Sequence, residues 1–174
     1  LISLVASPEM WFENLQSQDM VNIQETNCPN EILSLSFIET QTPKKITKCL
    51  IKSINLMEKA DDFWSLRNSN HQNLLHIAVQ NNADFKKVVA ILLAARETGT
   101  IKTAISARDS KKLTVLHAAA GAHDDPRTLF ALVGAGSDIN EMVDENDGWF
   151  SSPTGTTAMH IAAVERIYDH LLPE

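Results

Sequence analysis

Asn73-Leu74-Leu75-His76-Ile77-Ala78 decides the fold, because it returns twice along the chain. Thr114-Val115-Leu116-His117-Ala118-Ala119 and Thr157-Ala158-Met159-His160-Ile161-Ala162 keep the same order: a capping polar residue, an apolar pair, a histidine, then small or apolar residues. The three histidines lie 41 and 43 residues apart. A chain that repeats itself every few tens of residues is built from stacked units, each too small to bury its apolar face alone. Asn and Thr are good N-caps, since their side-chain oxygens accept hydrogen bonds from the free N–H groups of a first helical turn. The histidine falls on that first turn, where its ring can bond back to the cap and across to the next unit. The alanines let paired helices approach closely.

The flanks carry the same register. Val88-Val89-Ala90-Ile91-Leu92-Leu93 follows His76, and Leu129-Phe130-Ala131-Leu132-Val133 follows His117. Gly136-Ser137-Asp138-Ile139-Asn140 comes next: Gly136 suits the left-handed residue that ends a helix, and Asp138 and Asn140 suit the turn after it. These strings resemble the T-P-L-H-x-A signature, the second helix and the G-A-D-x-N turn of ankyrin repeats. The resemblance covers about residues 67–174. It implies an all-α solenoid of helix pairs with long finger loops. An ankyrin period is about 33 residues, so each unit here carries roughly eight to ten more. The chain departs from the pattern in places. Asn73 replaces the first Thr, Leu74, Val115 and Ala158 replace the Pro, and Asn82, His123 and Arg166 stand where a Gly usually joins the two helices. Only fourteen residues follow His160, so a complete second helix barely fits in the third unit.

Residues 1–66 lack the signature and read as a helical N-terminal capping region before an array at 67–174. Ser7-Pro8-Glu9 predicts a helix start ahead of Met10, Trp11, Phe12 and Leu15. Pro29-Asn30-Glu31 predicts a second, running through Phe37 and Ile38. Thr42-Pro43 opens the clearest one, from Pro43 to about Ala60. On its wheel Ile46, Leu50, Ile54 and Met57 share one side, with Lys45, Lys48, Lys52 and Lys59 nearly opposite. A solenoid must cover its apolar end, and this helix is suited to do so.

Composition bounds the function. A formal charge of -7 argues against nucleic acid and for a partner with a basic surface. No apolar run approaches the roughly 18 residues of a membrane span. Cys28 and Cys49 have no metal-type spacing, and no signal peptide is visible, so free thiols in an intracellular setting, cytoplasmic or nuclear, are expected. The signature histidines stand a full unit apart and do not converge on an ion. The chain contains no P-loop, G-x-S-x-G, H-E-x-x-H or G-x-G-x-x-G. No metal, no cofactor and no enzymatic activity are expected.

The candidate binding residues come from the extra length. Sixteen residues, 141–156, separate Asn140 from Thr157, against about seven in an ordinary repeat. Asp144, Glu145 and Asp147 flank Trp149 and Phe150 there: an acidic rim around aromatic anchors, the residue type that dominates interfaces. The equally weighted alternative is a solvated loop whose aromatics fold back on the stack. Arg108 belongs to the other long finger, Thr98–Lys112, and Asn82 and His123 mark the helix junctions. Leu75-His76-Ile77-Ala78-Val79-Gln80, and the stretch from Ala94 to Leu113 before the next signature, are similar to the first repeat of the IκB group, inhibitors and co-regulators of NF-κB/Rel factors. That resemblance implies transcription regulation by gripping a basic segment of a Rel-type factor. The alternative readings are a regulatory ankyrin segment of a larger enzyme and a pathogen effector scaffold.

Overall fold

In a computed structural model of the chain, the described residues are 28, 31–122, 125–143 and 155–171, with the last helix described beyond residue 165 by its backbone alone. All regular structure among them is helical. Helix α1 (Leu35–Thr40) starts at Ser34, whose hydroxyl accepts from Phe37 N at 3.1 Å. The helix expected from Pro29 therefore begins later, because Ser34 is a true cap and residues 31–34 are not helical. Helix α2 (Pro43–Asn55) starts as anticipated, with Thr42 capping Lys45 N and Pro43 in the first turn. It stops short of Ala60, and a 3-10 helix (Ala60–Ser65) turns Phe63 and Trp64 into the core. The predicted helix near Ser7-Pro8-Glu9 lies outside the described residues.

The repeated strings become α3 (Leu74–Gln80), α6 (Val115–Ala122) and the first half of α8 (Ala158–Leu171). The runs after the first two become α4 (Phe85–Glu97) and α7 (Pro126–Gly134), capped by Asp84 and Asp125. A short helix, α5 (Ile101–Ser106), occupies the stretch expected to be a finger, so the extra length of the first unit folds.

The helices stack in two layers. In one, α1 packs on α3, α3 on α6, and α6 on α8; in the other, α2 packs on α4 and α4 on α7. Within units, α3 packs on α4 and α6 on α7. The α6–α8 approach is close: a Cβ at Gly121 would lie 3.2 Å from Ile161 Cγ2. Helix α4 sits between α2 and α7 and is buried almost all round, from Val88 to Ala95 without a break. Ile46, Leu50 and Ile54 on one stripe of α2 are fully buried, as the wheel predicts, with Cys49 beside them, whereas Met57 lies beyond the end of the helix and is half-buried; a single apolar core runs from Phe37 to Ala158. Each large side chain buried there contributes about 1.5–3 kcal/mol of transfer free energy.

Two expectations are overturned. Cys28 and Cys49 are not free thiols: they form a disulfide, with Cα atoms 5.5 Å apart. The pairing is a tertiary event, because Cys49 faces the core from the buried stripe of α2 and its partner lies 21 residues away in sequence. The third unit also lacks the expected junction at Arg166. Helix α8 runs unbroken to Leu171, since the stretch from Val164 to Tyr168 contains no Gly, Pro or Asn to stop it.

Candidate protein-interaction surface

Each unit is held at its start by one polar device. Asn73 Oδ1 accepts from His76 N at 3.0 Å and lies 2.8 Å from His76 Nδ1. Thr114 Oγ1 lies 2.7 Å from His117 Nδ1, and Thr157 Oγ1 lies 2.9 Å from His160 Nδ1. The other ring nitrogen reaches forward. His76 Nε2 is 3.1 Å from the Leu113 carbonyl oxygen, and His117 Nε2 is 3.0 Å from that of Glu141. A carbonyl oxygen only accepts, so His117 carries its proton on Nε2, and its Nδ1 accepts a hydrogen bond from the Thr114 hydroxyl. At His76 both neighbours are acceptors, because Asn73 Nδ2 is turned to the Ala104 carbonyl. Only a protonated ring would serve both, and burial opposes that proton. Burial pushes the pKa of both rings down, against the upward pull of the Leu113 carbonyl on His76 and of the Glu141 carbonyl on His117.

These rings position the fingers. Leu113 precedes an isolated antiparallel bridge between Arg108 and Thr114, and Glu141 precedes another between Met142 and Thr157. Buried Asp109 closes the first finger by accepting from Lys111 N and Leu113 N at 2.9 and 3.0 Å. Arg108 ties the two fingers together: its guanidinium lies 2.6 Å from Glu141 and donates to the Lys112 carbonyl at 2.8 Å. Glu141, with which Arg108 pairs, received no role in the sequence reading.

Asn82 sits elsewhere, at the α3–α4 junction, exposed and in the left-handed region at φ 53. With Asp84 and Phe85 it faces Asp125, Pro126 and Arg127 across an open cleft of about 430 Å³ between successive junctions. The Arg127 guanidinium lies 4.9 Å from the centroid of Phe85 and pairs with Asp125, whose hydrogen bond holds its pKa above the usual value. His123, Asp144, Glu145, Asp147, Trp149 and Phe150 lie outside the described residues. Asn82 and Arg108 thus belong to different places, a junction cleft and a finger base, rather than to one constellation. No family model, curated protein or solved structure matches this chain.

Among the described residues, no cluster of three or more His, Cys, Asp or Glu side chains could hold a metal ion, and no helix is long and apolar enough to cross a membrane. The surface does present large apolar side chains that sequence reasoning passed over: Met142 at the second finger, Phe130 and Val133 on α7, and Met159 and Val164 on α8. The signal available was phase. Thr128 and Leu132 mark the buried stripe of α7, and Phe130 stands half a turn away. Phase tells which side a residue is on only once the neighbours of the helix are known.

Proposed function

We propose that the chain is a divergent ankyrin-repeat module that binds another protein through its fingers, with a basic segment as the partner, in the manner of an IκB-like regulator. The observation that carries this reading is the recurrent cap–histidine device, which fixes the base of each finger to the preceding unit through a ring-to-carbonyl bond. A binding surface benefits from such preorganisation, because loops held rigid lose less entropy when a partner docks. Exposed Met142 at the base of the second finger supplies an apolar contact, and the acids of the adjoining insertion supply the charge that steers a basic partner.

The test is capture of partners followed by binding kinetics. Reversing Asp144, Glu145 and Asp147 to Lys should lower the association rate and weaken its dependence on salt, while Trp149→Ala should raise the dissociation rate, costing about 2 kcal/mol or more at a hot spot. Both variants should melt within about two degrees of the parent, since loop substitutions seldom reach the core. Unchanged rates for both would remove the fingers from the interface. A large loss of melting temperature for Trp149→Ala would show that the aromatic seals the stack.

A further inference from the structure

Cys28 and Cys49 are the only cysteines of the chain, and the bond between them closes a loop across a separation of 21 residues. That loop holds α1. Its two ends differ. Cys49 is fully buried on α2, which packs along α4. Cys28 is only partly buried, ahead of the stretch whose Ile32, Leu33 and Leu35 pack against the core.

Helix α1 has little else to keep it in place. Its six residues fall short of the roughly 12 at which an isolated helix begins to hold in water. It buries two side chains, Phe37 and Ile38, and packs on α3. One further tie comes from α4, where Lys87 Nζ donates to the Glu39 carbonyl at 2.7 Å. Helix α2, by contrast, has thirteen residues and four buried side chains, and its Thr47 hydroxyl is bonded to α4. Loss of the disulfide therefore bears on α1 and the chain before it far more than on α2.

The geometry points to a redox latch: reduction of the Cys28–Cys49 bond by a dithiol lets α1 lift from α3 and uncovers the apolar seat of Phe37 and Ile38, and reoxidation closes it again. The chemistry is an exchange. A thiolate of the dithiol attacks Cys28 Sγ, the S–S bond breaks, and Cys49 leaves and takes up a proton. The second thiol of the dithiol then displaces Cys28, which is protonated in turn. Two electrons pass to the protein, and the dithiol ends as its own disulfide. Cys28 is the sulfur attacked because it belongs to the more exposed residue of the pair. After reduction Cys49 stays in the core as a small apolar side chain. Cys28 loses its anchor. The cover then regains the conformational freedom that the closed loop denied it, and two buried side chains are left to oppose that gain. The latch involves none of Arg108, Glu141 and Met142, so it and the finger-binding reading stand or fall separately.

Hydrogen–deuterium exchange of the intact chain, before and after equilibration with dithiothreitol, tests the proposal. The amides of Ile38 and Gln41, bonded to the Ser34 and Phe37 carbonyls, report on α1. Their protection should fall by at least about tenfold on reduction, the scale on which opening a loop of this size acts. The amides of α4 from Val88 to Ala95 should keep theirs, and reoxidation should restore α1. Cys28→Ser should exchange like the reduced chain without any reductant and should not respond to dithiothreitol. Equal protection of α1 in the two states overturns the inference. So does a loss that spreads to α4, which would make the bond a staple of the whole fold. Two thiols open to alkylation in the unreduced, unfolded chain would overturn it as well.

Discussion

At the scale of single residues, the histidines do structural work that depends on protonation. His76 and His117 are buried, and burial lowers the pKa of each below the roughly 6.5 of a free imidazole. The unfolded chain therefore takes up protons first as the pH falls. The contribution of these rings to stability is complete above about pH 6.5 and drains away as the pH drops toward the folded values. The melting temperature should be flat from pH 8 to 7 and decline below about 6.5. His117→Gln should flatten that decline whatever its effect at neutral pH. A melting temperature that rises on acidification would contradict the assignment.

Helix α2 shows how one element closes the stack. Its sequence places Ile46, Leu50 and Ile54 on a single stripe, and the fold lays that stripe on α4, which is buried without a break from Val88 to Ala95. Thr47 Oγ1 adds a hydrogen bond to the Ala90 carbonyl at 3.1 Å, fixing the register of the two helices. Leu50 is fully buried, so Leu50→Ala should cost about 2–5 kcal/mol, the transfer term plus the cavity left behind. Lys52→Ala, on the exposed side of the same helix, should change stability by no more than about 0.5 kcal/mol. Equal effects of the two substitutions in chemical denaturation would show that α2 does not pack as described.

Taken as a whole, the described chain has one core. Buried side chains form a continuous cluster from Phe37 on α1 to Ala158 at the start of α8, crossing residue 66 through Phe63 and Trp64 of the 3-10 helix. The Trp64 indole donates to Thr100 Oγ1 at 2.7 Å, tying that segment to the turn before α5. The capping region and the array should therefore unfold together. Thermal melts followed by far-UV circular dichroism and by tryptophan fluorescence should coincide, with a helical spectrum at the start. A separate early transition would mean that the N-terminal helices form a unit of their own.

Local sequence determined where most of the helices start. Caps at Thr42, Asn73 and Thr114, the apolar phase of α2 and the left-handed Gly136 were legible because each depends on residues within one or two turns. Of the candidate binding residues, the sequence marked Arg108 and Asn82 as lying in a long finger and at a helix junction. It did not reveal that Arg108 pairs with Glu141, 33 residues away, or that Asn82 faces Arg127 across a cleft. Tertiary structure alone decided three further things. It brought Cys28 to Cys49, it folded the first insertion into α5, and it left Phe130 and Met159 exposed at the end of the layers. The physical reason is the same in each case. A helix forms from bonds between residues four apart, but burial and pairing depend on what stands beside it, and that neighbour comes from elsewhere in the chain.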